Sequence, residues 1–148
     1  MHAEYPVRPL IGRYSGAMPY RNSSPALICL AAGLDAALLL VFVVIGRANH
    51  GGEGLFGVLS AWWPFQAGLL VAWLVMRAWR TPALIRWTGL GVWLITVPVA
   101  MLFRVVSGQG VQTSFILVTV VVVGGFLLGW RLIALLMRRL AQRSPSSR

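Results

Sequence analysis

The chain is poor in acid and has no lysine. Its 148 residues carry three acidic side chains, Glu4, Asp35 and Glu53, against thirteen basic ones, all of them arginine. A single cysteine, Cys29, excludes an internal disulfide, and its setting fails as a lipoprotein cleavage site, so it reads as a small packing residue. The only histidines are His2 and His50. His50 and Glu53 alone cannot make a metal site, which normally needs three or four ligands. No HExxH, Walker or GxSxG pattern and no nucleophile–base pairing occurs, so neither an enzyme nor a cofactor is expected. Residues 1–24 hold three prolines, three arginines and no apolar core, unlike a secretory signal.

What fills the sequence instead is apolar. Hydrophobic residues make up 58% of the chain, and the mean hydropathy of +0.78 is too high for an ordinary soluble domain. Four runs, at about 25–45, 57–76, 83–103 and 111–130, each approach the roughly 20 residues that an α-helix needs to cross a hydrocarbon core. These predict an all-α polytopic membrane protein, a four-transmembrane-helix bundle with short loops. The expected organisation is a flexible cytoplasmic arm over 1–24, the transmembrane domain over 25–137 and a basic Ser/Pro tail over 138–148. Basic and apolar residues alternate at helical spacing over 132–143, so this stretch either extends span four or lies along the anionic leaflet.

Arginine placement gives an orientation. Eleven arginines lie beside one set of span ends, and only Arg47 and Arg104 lie beside the other. By the positive-inside rule both termini are expected in the cytoplasm, with the protein in the plasma (inner) membrane. The net charge of +10 is thereby assigned to topology and to the lipid bilayer rather than to nucleic acid.

Asp35 is the most informative single side chain. It is expected about 16 Å from the outer end of span one at the usual helical rise. A carboxylate at that depth costs about 2.5–3.5 kcal/mol on insertion scales, so it should face the bundle interior or water. Candidate partners at similar depth are Gln66, Trp93, Thr96 and Thr119, and no arginine is expected that deep. Two readings stay open: a proton- or cation-binding group, or an interhelical clasp within the chain or to a partner protein. Pro64 and Pro98 are expected to kink spans two and three, freeing the carbonyls of Ser60 and Leu94. The splayed outer ends could form a vestibule, or the prolines could serve helix shape alone. In the outer loops, Arg47, His50, Glu53, Arg104, Ser107 and Gln109 form a second constellation. Arg47 and Arg104 could face each other and hold an anion such as a phosphate or lipid headgroup. The competing reading is an Arg47–Glu53 pair with loop-capping hydrogen bonds.

Two patterns concern packing. Gly125–Gly129 is a GxxxG, and Gly68–Ala72 is a related small-xxx-small pair, both suited to close helix contact within the bundle or between protomers. A faint repeat is also visible: Trp73 and Trp130 each lie 26 residues beyond an arginine, Arg47 and Arg104 respectively. Both halves would then be hairpins of the same direction, related by an axis along the membrane normal.

Asp35, Gly46-Arg47-Ala48-Asn49-His50, Trp63-Pro64-Phe65 and Arg104-Val105-Val106-Ser107-Gly108-Gln109-Gly110 together resemble a small bacterial integral-membrane family catalogued only as a domain of unknown function. The resemblance covers about residues 27–135. It implies a four-helix membrane protein and picks out these same residues, and it implies no activity. The function expected is that of a small transporter or permease-like protein, with Asp35 as coupling or ligand-binding acid and Arg47 and Arg104 as outer gate or anion contacts. The alternative is a non-catalytic subunit or assembly factor of a larger envelope complex, in which Asp35 and the glycine stripes hold a partner helix. A homo-oligomer or a membrane-protein partner fits either.

Overall fold

The computed structural model describes residues 23–48 and 54–143. Within them lie four α-helices: α1 (Pro25–Ala48), α2 (Gly54–Met76), α3 (Leu90–Val106) and α4 (Thr113–Arg143). A five-residue π-helical turn, Ile85–Gly89, leads directly into α3. All four segments are long and apolar enough to cross a membrane, α3 when counted with this turn, and no strand occurs among the described residues. This is the four-helix membrane architecture that the apolar runs predict. The expected arm over 1–24 falls almost wholly outside the described residues, as do His50, Glu53 and the end of the tail.

The chain runs as two antiparallel hairpins, α1–α2 and α3–α4. One end of the bundle carries the start of α1, the α2–α3 connection and the end of α4. It will be called the arginine-rich end, and the other the loop end. At the arginine-rich end α2 stops at Arg77, which takes the left-handed conformation (φ 48°, ψ 47°) common just beyond a helix C-terminus. A short 3-10 turn, Ala78–Arg80, follows. Ser23 Oγ donates to the Arg80 carbonyl at 3.0 Å, tying the start of α1 to this connection.

Of the two readings of the stretch after Trp130, the structure shows the first, an extension of span four. Helix α4 continues unbroken to Arg143, 31 residues in all. That is about 46 Å at 1.5 Å per residue, well beyond a hydrocarbon core of about 30 Å. A hydropathy boundary fell at Arg131 because of its charge, yet that residue is buried in the bundle. The last turns, with Arg138 and Arg139 exposed, extend past the apolar length.

Helices α2 and α3 form the most extensive pairing in the bundle. Small residues permit it: Ala72 and Ala100 are fully buried, and a Cβ added at Gly68 would lie 2.7 Å from the Thr96 carbonyl oxygen. The GxxxG of α4 behaves differently. Added Cβ atoms at Gly125 and Gly129 would meet nothing within 4 Å, so this stripe mediates no helix contact inside the described bundle. Pro64 and Pro98 both sit inside helices that run on through them. The Ser60 carbonyl freed by Pro64 accepts from Gln109 Nε2 at 2.9 Å, so the loop after α3 satisfies it.

Gly68→Ala should therefore destabilise the detergent-solubilised protein by about 1–3 kcal/mol, the usual range for overpacking. Gly125→Ala should leave the monomer unchanged or slightly more stable through helix propensity. Thermal melting of the two variants side by side checks the contrast; equal melting would refute the close α2–α3 approach.

Candidate functional site

Asp35 sits ten residues into α1 and is fully buried. It meets donors from two helices. Trp73 Nε1 of α2 donates to Oδ2 at 3.0 Å, and Trp130 Nε1 of α4 donates to Oδ1 at 2.7 Å. Arg131 grips both oxygens, Nη1 to Oδ1 at 2.8 Å and Nη2 to Oδ2 at 2.7 Å. Each carboxylate oxygen thus accepts two hydrogen bonds, which uses the roughly four acceptor positions a carboxylate offers. Arg131 is equally enclosed. Its remaining contacts run from Nε to the Pro82 carbonyl at 3.0 Å and from Nη1 to the Leu127 carbonyl at 2.7 Å. Its guanidinium also lies 4.4 Å from the Trp130 ring centroid, within cation–π range.

Helix direction explains how these groups meet. Every Cα–Cβ bond tilts toward its own helix N-terminus. Asp35 on α1 therefore leans toward the arginine-rich end, whereas Trp73, Trp130 and Arg131, on helices running the other way, lean toward the bundle centre. Gly89 completes the fit, since a Cβ there would lie 3.0 Å from Arg131 Cδ and 3.5 Å from the Leu84 carbonyl oxygen.

This geometry corrects the expected surroundings of Asp35. An arginine does reach its depth. Gln66 does not bond to it and instead donates to the Ala36 carbonyl at 3.3 Å. Trp93 donates to the Val120 carbonyl at 3.0 Å. Thr96 and Thr119 are fully buried, and their hydroxyls make no hydrogen bond among the described residues.

Arg47 and Arg104 come together at the loop end, where both line a cavity of about 440 Å³ between the helices. Phe42, Phe65 and Phe115 form its aromatic floor, with centroid separations of 5.3 to 6.4 Å. Gln112 and Ser114, at the start of α4, add polar groups to the wall. The Arg104 guanidinium lies 4.5 Å from the Phe115 centroid, and its Nη1 donates to Gln109 Oε1 at 2.9 Å. Its Nε is buried with no hydrogen-bond partner. Gln109 thus couples the arginine to the carbonyl freed by Pro64. Ser107 folds back on its own helix, donating to the Phe103 carbonyl at 2.7 Å.

The repeat acquires a geometric meaning. Its matched tryptophans converge on one carboxylate and its matched arginines on one cavity. Asp35 precedes Arg47 by twelve residues; twelve before Arg104 stands Val92, also fully buried. One acid near the centre serves both halves. The residues that sequence reasoning missed are Arg131, Phe42 and Phe115; Phe65 stood in the Trp63-Pro64-Phe65 motif without a role. The tryptophans were visible as a repeat but not as donors.

A family model described as a protein of unknown function (DUF3054) matches residues 32–134, a stretch that contains the whole clasp and the whole cavity. No curated protein and no solved structure matches the chain.

Arg131→Met should cost about 3–5 kcal/mol, because it strands a buried charge. The double variant Asp35→Leu/Arg131→Met should recover most of that loss, since apolar replacement of a buried pair is often neutral. A double-mutant cycle from thermal or denaturant unfolding reads the coupling. Additive losses would mean that the two side chains do not pair.

Proposed function

We propose that this chain, which belongs to the DUF3054 family of proteins of unknown function, is a small permease-like membrane protein for organic anions. Its cavity at the loop end receives the anion, and the Asp35–Arg131 clasp closes the route beneath. The observation that carries the proposal is the pair of arginines on opposite hairpins lining one cavity that stops above a buried ion pair. Two guanidinium groups on an apolar, aromatic floor suit a carboxylate or phosphate attached to a short hydrocarbon portion. The volume of about 440 Å³ falls within the roughly 300–1,000 Å³ usual for ligand pockets. The Nε of Arg104, buried without a hydrogen-bond partner among the described residues, offers a further donor to such a guest.

In this mechanism Asp35 is a gate residue and not a coupling acid. Its four hydrogen bonds leave no lone pair for a transported proton or cation. Opening the arginine-rich end requires separating Asp35 from α2 or α4, while the closely paired α2 and α3 stay together as one unit. The unpartnered hydroxyls of Thr96 and Thr119 lie within a turn of the Trp93–Val120 bond. They supply polar steps that a passing anion would use. The orientation belongs to the same proposal: the arginine-rich end faces the cytoplasm across the plasma membrane, by the positive-inside rule.

One observation favours a second reading. The GxxxG on α4 faces open space, the arrangement expected if another transmembrane helix packs there. That helix would belong to a second copy or to a larger envelope complex. Native mass spectrometry after gentle extraction separates the cases: a stoichiometric foreign protein would sink the autonomous permease.

Anion binding is measured by the protective shift in melting with alkyl carboxylates and alkyl phosphates of increasing chain length. Arg104→Ala should weaken binding by about 1.5–3 kcal/mol, the worth of a charged hydrogen bond, or roughly 10- to 100-fold in Kd. In proteoliposomes, Trp73→Phe should speed anion flux without changing that Kd. No protection by any anion rejects the site, and altered affinity with unaltered flux rejects the gate. For orientation, a cysteine at Asn49 in a Cys29→Ala background should react with a membrane-impermeant thiol reagent in intact cells, whereas one at Arg80 should not; the opposite pattern inverts the topology.

A further inference from the structure

The arginine-rich end holds a second concavity, which the permease reading does not use. It is a cleft of about 480 Å³ bounded by the start of α1, the α2–α3 connection and the last turns of α4. Arg80 and Arg86 stand on the connection, and Arg138 and Arg139 stand on α4. All four are exposed. Four cations around one cleft repel each other unless an anion is shared among them. The chain cannot supply it from its described part. Asp35 is the only acid among the described residues, and Arg131 already holds it.

Location decides what the anion is. Helix α4 exceeds the hydrocarbon length, so Arg138 and Arg139 emerge at headgroup level. Trp87, directly after Arg86, is 75% exposed, as befits an interfacial aromatic. Leu27, Leu84 and Leu135 also line the cleft, giving apolar surface beside the charges. A soluble phosphate would find the cations but have no use for that surface. A phospholipid fits both parts, its phosphate among the arginines and its glycerol-proximal chain along the leucines. Basic pockets between transmembrane helices take anionic lipid headgroups by this division of labour.

We propose that this cleft binds the headgroup of an anionic phospholipid from the adjacent leaflet, preferentially one with two phosphates, such as a diphosphatidylglycerol. Arginines on two walls then bracket the two phosphates, and the lipid joins the α2–α3 connection to α4. These are the elements that also carry Pro82 and Arg131, so the bound lipid reinforces the segment on which the clasp rests. The site stands whether or not the chain moves anions.

The test is lipid retention by the purified full chain in native mass spectrometry, with diphosphatidylglycerol, phosphatidylglycerol and phosphatidylcholine compared at equal concentration. The diphosphate lipid should be retained most and phosphatidylcholine least. Each arginine near an anionic lipid surface is worth roughly fivefold, so Arg138→Ala/Arg139→Ala should lower retention by roughly 25-fold. Arg138→Lys/Arg139→Lys should keep most of it, because lysine remains a point charge for phosphate. Should the alanine pair fail to fold, Arg80→Ala/Arg86→Ala on the facing wall makes the same test. Equal retention of phosphatidylcholine, or full retention in folded alanine variants of both walls, overturns the proposal. So does displacement of bound lipid by millimolar glycerol phosphate alone, which would make the ligand a free anion.

Discussion

One carboxylate organises this protein. Asp35 accepts from α2 through Trp73 and from α4 through Trp130 and Arg131, and Arg131 extends the network to the connection at Pro82. Every donor in it is fixed by packing, and both charges are wholly removed from solvent. In hydrocarbon no water can replace a lost partner. The clasp therefore dictates the relative depth of three helices as a matter of electrostatics, while the apolar contacts around it specify only that helices touch. The close α2–α3 pairing at Gly68 then brings the fourth helix into the same frame.

The two ends of the bundle divide their arginines by purpose. At the loop end, Arg47 and Arg104 face inward over an aromatic floor. At the arginine-rich end, four more line an open cleft beside the last turns of α4. Between them lies Arg131, spent on the single buried acid. A chain with so few acids leaves most of its cations without an acidic side chain of its own to answer them.

The fold was legible because apolar runs of membrane-spanning length have few alternative structures in a bilayer. The loop-end cavity was half legible: Arg47 and Arg104 stood out by defying the charge bias and Phe65 stood in a quoted motif, but Phe42 and Phe115 looked like any others in an apolar helix. Asp35 was conspicuous for its cost, and its partner was missed for the same reason. Hydropathy treats a charge as a boundary, so the apolar run of span four ends at Trp130, one residue before the group that compensates the acid, and extension of the helix beyond it is only one of two readings. A long arginine on a helix running opposite to α1 leans toward the bilayer centre, and that directional fact was the missing signal. Gln66 looked suitable by depth alone, and depth does not say which way an amide turns. The GxxxG of α4 left its partner open, since a motif for close contact does not say with what, and inside the described bundle it meets nothing.

The sequence separation of the clasp has a consequence for biogenesis. Asp35 and Arg131 lie 96 residues apart, on the first and fourth of the described helices. From the moment α1 enters the bilayer until α4 has followed it, the nascent chain carries an acid without its counter-ion. Completion of the bundle is thus chemically marked: a polypeptide cut short before α4 keeps an unanswered charge in the membrane, and the finished one does not. A cell that monitors intramembrane charge could distinguish the two by that difference alone.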